Sequence, residues 1–189
     1  MNISDYIKTV APFYTLEIGK SYHNITHIEK MLNIYFKYES DIVASYPNIN
    51  KELLITSILW HDAGYSPYNK ENEKTACEIY KNNCSDYDQR VVDIIMSTVP
   101  FNKVFDTPEK VILHDLDWFS FSDIDILIED EKLIEQEYEV AHSVFVEGRR
   151  KFYENCLVSF TEGLFKSVVF EKFNEKAITN VKSRVKNIK

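Results

Sequence analysis

Turn-forming residues are scarce in this chain: glycine occurs four times and proline five among 189 residues. An all-β fold needs many tight turns, and those two residues supply much of the backbone geometry for them. Their scarcity argues against a sandwich or barrel. Cysteine is scarce too. Cys77, Cys84 and Cys156 are odd in number and match no metal or redox spacing, so reduced, buried thiols are expected rather than a disulfide framework. No run of about 18 apolar residues occurs, and no spanning helix is predicted. The opening MNISDYIKTV lacks a basic segment followed by an apolar block. No signal peptide is expected, and the predicted location is cytoplasmic. Positive charge is also short: 22 Lys and Arg stand against 30 Asp and Glu, for a net charge of −8. Basic patches supply most of the attraction to nucleic acids and anionic membranes, so neither is an expected partner. A small phosphorylated molecule stays compatible, because a bound cation reverses the sign locally.

What the chain has is apolar residues at helical spacing. KELLITSILW carries Leu53, Leu54, Ile58 and Leu59 on one side, and DQRVVDIIMSTV carries Val91, Val92, Ile95 and Met96. EQEYEVAHSVFVEGRRKFYENCLV reads as one long amphipathic helix, with Tyr138, Ala141, Val144, Phe145 and Phe152 as its stripe. Start signals agree. Ser4-Asp5 is placed to cap the first helix, Asn24 the second, and Thr107-Pro108-Glu109 opens another. SDIDILIEDEK reads as a loop whose Asp130 and Glu131 cap the long helix. With 44% hydrophobic and 28% charged residues, the expectation is one all-α domain over residues 1–189, a bundle of about eight helices.

Three of the five histidines fall in two short segments, YHNITHIEKML (22–32) and LWHDAG (59–64). If a helix starts near Asn24, His23 and His27 face the same space, since positions four apart share a helix face. His61 and Asp62 diverge by about 100° on a regular helix, but can meet one ion near a helix end. AGYSP directly after them predicts that end. A fourth ligand must come from elsewhere, and LHDLDWFS offers His114, Asp115 and Asp117. Two imidazoles with two carboxylates suit Zn, Mn, Fe, Ni, Co or Mg rather than a thiolate-seeking ion.

The ordered pattern YHNxxH, then HD, then DxD resembles the HD superfamily of metal-dependent phosphohydrolases. YHNITHIEKML also resembles the YHNxxH segment of class I cyclic-nucleotide phosphodiesterases. The closer likeness is to a small bacterial family of predicted HD phosphohydrolases, whose YHNxxHIxxML, WFHDAxYxP, NExxSA and DADL motifs read here as YHNITHIEKML, LWHDAGYSP, NEKTA and DLDW. It runs from about Lys20 to Phe119, with a weaker match in FVEGRRKFY and AITNV. The resemblance implies a single HD-domain helical bundle. Its metal ligands would be His27, His61, Asp62 and Asp117, with Asp115 as the alternative to Asp117. His23 would protonate the leaving oxygen. Glu73, beside Asn72, would orient His23 or a water. Lys20 and Arg149 would bind phosphate, Arg149 being favoured over Arg150.

The implied activity is hydrolysis of a phosphoester, in a nucleotide or related small phosphorylated metabolite, through a metal-activated water. One divalent ion is favoured over two, because many HD enzymes carry further histidines between the second and third motifs and STVPF stands here instead. Two other readings compete. One is a metal-containing module that binds a nucleotide without cleaving it. The other is an HD-type di-iron oxygenase, which would need His114 and His142 as ligands. Those two are read as structural by default. A homodimer through the long helix is a further expectation.

Overall fold

The computed structural model describes residues 3–14 and 21–188. Among these residues the chain is all helical, with nine α-helices and no strand. Helix α1 spans Ile3–Val10 and leads into a 3₁₀ turn at Ala11–Tyr14. The longest, α2 (Ile25–Ser45), is followed by α3 (Lys51–Trp60), α4 (Asn72–Asn83) and α5 (Gln89–Ile95). Then come α6 (Pro108–Asp117), α7 (Ile124–Glu137), α8 (His142–Ser159) and α9 (Asn174–Asn187).

Local chemistry sets the boundaries that matter most. The Asn24 side chain accepts a hydrogen bond from the Thr26 N–H and starts α2. Thr107 caps α6 through the Lys110 N–H, with Pro108 in the first turn, where a missing N–H costs nothing. Asn50 caps α3 through the Leu53 N–H. Helix α3 is buried nearly all round: Leu54, Ile55, Ser57, Ile58, Leu59 and Trp60 are all interior and only its first residues reach solvent. It packs between α2, α5 and α6. Burying each large apolar side chain contributes about 1.5–3 kcal/mol, which makes α3 the post on which the other helices lean. One core runs from Ile7 to Ile188.

Several sequence expectations need correction. Residues 135–158 are not one helix. Helix α7 ends at Glu137, the chain extends through Tyr138–Ala141, and α8 begins at His142. At the break the Glu139 N–H donates to the Tyr68 hydroxyl at 2.7 Å instead of to a carbonyl one turn back. SDIDILIEDEK is helix, not loop. Asp123 caps α7 through the Asp125 N–H, and Asp130 and Glu131 lie buried in its middle. Ser4 and Asp5 lie inside α1 rather than before it, because the helix already includes Ile3. On α5 the inward residues are Val91, Ile94 and Ile95, while Val92 and Met96 are half-buried. Of the stripe proposed for α8, Ala141 and Val144 are exposed, and the buried residues are Phe145, Tyr153 and Cys156. All three thiols are free, Cys77 and Cys156 buried and Cys84 partly so. Among the described residues, no helix is long and apolar enough to cross a membrane.

Candidate metal centre

Three helix ends meet at one point. His27 sits in the first turn of α2, placed there by the Asn24 cap. His61 is the residue at which α3 stops, and Asp62 follows in the turn. That turn needs Gly64. Its φ of +71° is costly for any residue with a Cβ, and a Cβ there would lie 2.3 Å from Ile79. Buried Tyr14 braces the same turn: its hydroxyl donates to the Leu59 carbonyl at 2.9 Å and accepts from the Asp62 N–H at 3.3 Å. Asp117 is the last residue of α6.

The donor atoms of these residues converge. His27 Nε2 lies 3.2 Å from Asp117 Oδ1 and 3.7 Å from Asp62 Oδ2. His61 Nε2 lies 3.1 Å from Asp62 Oδ2 and 3.8 Å from Asp117 Oδ1. Two ligand atoms each about 2.1 Å from one ion stand about 3.0 Å apart at a right angle and about 3.4 Å apart at the tetrahedral angle. The observed spacings are of that order. His27, His61 and Asp117 form a group that can hold a metal ion, their ligand atoms lying within 4.8 Å of one another.

Protonation chemistry supports the same reading. His61 Nδ1 lies 3.0 Å from the Ile58 carbonyl, which can only accept, so Nδ1 carries the proton and Nε2 presents a lone pair. Nε2 is buried and, among the described residues, is the one buried side-chain nitrogen or oxygen without a hydrogen-bond partner. It faces carboxylate oxygens, which are also acceptors. A lone pair against carboxylates in a dry pocket is unfavourable, so the site calls for positive charge at this point, either a proton on Nε2 or a cation between the donors. Burial opposes charge on Asp117, yet His27 and His61 hold its carboxyl well below the usual range. Asp62 is lowered too, against its burial, chiefly by His61. Burial also works against a protonated His61, but Asp62 and Asp117 raise its pKa well above the ordinary value.

His61, Asp62 and Asp117 open into a cavity of about 280 Å³ that is also lined by His23, Tyr65, Glu73, Tyr138, Arg149 and Phe152. His23 lies just before the Asn24 cap. Its Nδ1–H donates to Glu137 Oε2 at 2.6 Å, and Glu137 Oε1 accepts the N–H groups of Tyr22 (2.7 Å) and His23 (2.6 Å). The His23 ring stacks on Tyr65 at 3.5 Å between centroids. The carboxylate that orients His23 is therefore Glu137, not Glu73. Glu73 lines the cavity half-buried, its pKa raised by burial and by the charges of Asp62 and Asp117. Asn72 does local work, pairing with Ser66 and with the Asn69 carbonyl to close the loop after Asp62.

Other candidates are placed elsewhere. Asp115 is fully buried and accepts the Lys166 and Ser167 N–H groups, each at 2.8 Å, so it braces the backbone before α9. Burial pushes its pKa up to about 7. Arg149 lies against the rings of Phe152 (4.6 Å) and Tyr153 (4.9 Å), its Nε donates to the Tyr153 hydroxyl at 3.2 Å, and it lines the cavity. Arg150 turns away to the Val185 and Ile188 carbonyls at the end of α9. Lys20 falls outside the described residues. The spare histidines are not at the centre. His114 Nε2 donates to the Leu164 carbonyl at 3.0 Å, while His142 pairs with Glu135 at 2.5 Å on the surface. A di-iron site built on them loses its ligands.

Sequence reasoning missed Glu137, Tyr65 and Tyr138. Tyr65 stood in plain view in LWHDAGYSP. Glu137 had no signal, because it reaches His23 from 114 residues away. No family model, no curated protein and no solved structure matches the chain.

Proposed function

We propose that the protein is an HD-type, metal-dependent phosphohydrolase that cleaves a phosphoester of a nucleotide or related small phosphorylated metabolite through a metal-activated water. The observation that carries this reading is the buried lone pair of His61 Nε2 aimed at Asp62 and Asp117, in a cavity that also holds an arginine and a carboxylate-bound histidine. His27, His61, Asp62 and Asp117 would hold one ion, and their hard and borderline donors suit Mn, Zn, Fe, Ni, Co or Mg. When bound, such an ion supplies a Lewis acid for a phosphoryl oxygen and lowers the pKa of water.

The chain's own residues supply the rest. Arg149, stacked and held at Nε, offers its remaining N–H groups to a phosphate, which a planar guanidinium can grip at two points. His23 keeps its Nδ1 proton on Glu137, so Nε2 is the atom that exchanges protons with the ester. The Glu137 carboxylate fixes the ring plane and the tautomer. In the net reaction the bond from phosphorus to the ester oxygen breaks and a bond from water oxygen to phosphorus forms. His23 gives its proton to the leaving oxygen and recovers one from the proton that water releases. Glu73, whose raised pKa suits it to exchange a proton, faces the same space and orients the water. Lys20 would add a second cation for the phosphate.

Metal analysis of the purified protein, followed by a phosphate-release screen over nucleotides and other phosphoesters with the metal found, tests the reading. About one divalent ion per chain and release of phosphate are the expected results. A nucleotide that raises the melting temperature yet stays intact with Mn, Co and Ni would establish a binding module instead.

A further inference from the structure

The cavity at the metal centre has a neighbour at Arg149. A second hollow, a groove of about 380 Å³, lies beside it along the first turns of α8. Ile134, Tyr138, Arg149 and Phe152 line both spaces. Beyond them the groove walls are Val140, Val144, Phe145 and Gly148. Val144 and Val140 are 58% and 40% exposed, which is high for valines flanking a polar site. Arg149 is the groove's one charged residue, and it stands at the junction.

The direction of the proposed chemistry leads into this groove. His23 stacks on Tyr65, and both line the cavity. The Tyr65 phenol is pushed above its ordinary range by burial and then by the adjacent Tyr138 hydroxyl, which places Tyr138 next in line. Tyr138 is a wall of the groove. The group that receives the His23 proton is the leaving alcohol, so the alcohol's body extends past Tyr138. There it meets aliphatic and aromatic walls, with few polar atoms to read the edge of a base.

We infer that this groove is the leaving-group subsite and that the substrate class is phosphate esters of apolar alcohols, with alkyl or aryl bodies. The inference rests on the phosphoester reading of the centre. Gly148 fits it. It lines the groove at an exposed position of α8, and a Cβ added there meets nothing within 4 Å, so a larger side chain at this position has open space beside the groove to enter.

The test separates the groove from the reaction. Binding of n-alkylphosphonates from ethyl to octyl is measured by titration calorimetry on the Mn²⁺-loaded full chain. In the wild type, affinity should rise about two- to four-fold per added methylene, as apolar burial requires. Gly148→Leu places a side chain at the groove and should flatten the series, with a melting temperature at or above wild type. Val144→Asp should flatten it by a polar route. A flat series in the wild type, as when a second copy of the chain covers the groove, overturns the inference. So does a gradient that survives Gly148→Leu, since the alkyl chain then lies in the cleft beside Met31 and Ile34. Phosphate release from the matching alkyl phosphates is read in parallel. A length gradient without release would leave the subsite standing and remove the hydrolytic reading.

Discussion

Two polar clusters, both within reach of elements that carry Arg149, are built on opposite plans. In the first, between α7, α8 and α9, donors and acceptors alternate. Glu131 accepts from the Tyr153 hydroxyl (2.5 Å) and from Arg184 at Nε (3.2 Å) and Nη2 (2.7 Å), and Tyr153 accepts from Arg149. In the second, His61 Nε2 and Asp62 Oδ2 stand 3.1 Å apart with no aligned hydrogen bond between them. A closed cluster is finished by folding. An open one is left for something that folding does not provide, and this separates a structural network from a binding centre more sharply than burial or charge alone.

The comparison can be broken in four ways, the largest effect first. His61→Ala should abolish metal binding and turnover together. It should also lower the melting temperature of the chelator-treated protein, because a buried ring and the partner that holds down the Asp62 and Asp117 carboxyls are lost. Equal metal content in mutant and wild type would refute the ligand assignment. Glu131→Ala should instead retain metal and lose about 3–5 kcal/mol of stability in denaturant titration, since it strands Arg184 and the Tyr153 hydroxyl in the interior.

Third, His23→Ala should keep the metal and lower turnover by about 10²–10⁴-fold, the range that a positioned acid contributes. Glu137→Gln should also lower it, because an amide has one accepting oxygen and cannot hold both the His23 ring and the two backbone N–H groups that the carboxylate holds. Wild-type turnover in His23→Ala would remove the acid from the scheme.

The smallest effect concerns a buried histidine outside both clusters. Burial lowers the His114 pKa from 6.5 to about 4. The unfolded chain therefore takes up the proton first. The contribution of His114 is intact above pH 6.5 and erodes as pH falls toward 4, by up to about 3 kcal/mol. Asp115 titrates in the opposite sense, its contribution fading as pH rises from 3.8 to about 7. The check is thus the difference between two proteins. Stability measured from pH 7 to 4 should fall less steeply in His114→Gln than in wild type, and parallel curves would show that His114 carries no such linkage.

How much of this was legible in the sequence follows from how local each signal is. Asn24 and Thr107-Pro108 act within three residues of themselves, and both helix starts were readable. The end of α3 at the HD pair was readable because Gly64 announces it. Helix α7 was hidden because its inward stripe is Leu127, Asp130, Glu131, Ile134 and Glu137, three carboxylates among two aliphatic residues. Each of those acids is satisfied by a distant partner: Lys30, Arg184 or His23. A periodicity reading sees only charge there. The break at Tyr138–Ala141 was invisible for the same reason, since the bond that replaces a helical one goes to Tyr68. Asp115 and Asp117 could not be separated by spacing. What separates them is the loop at Lys166 and Ser167, about 50 positions further on.

That break also decides how the two halves of the cavity can be adjusted. Glu137, which holds His23, closes α7, and Arg149 lies two turns into α8. One residue inserted within α8 ahead of position 149 would swing the guanidinium about 100° round the helix axis and out of the cavity. The same insertion in the extended link would alter the reach between the two groups without imposing that rotation. The link is thus the place where the separation of the two groups can change while both helices stay untouched.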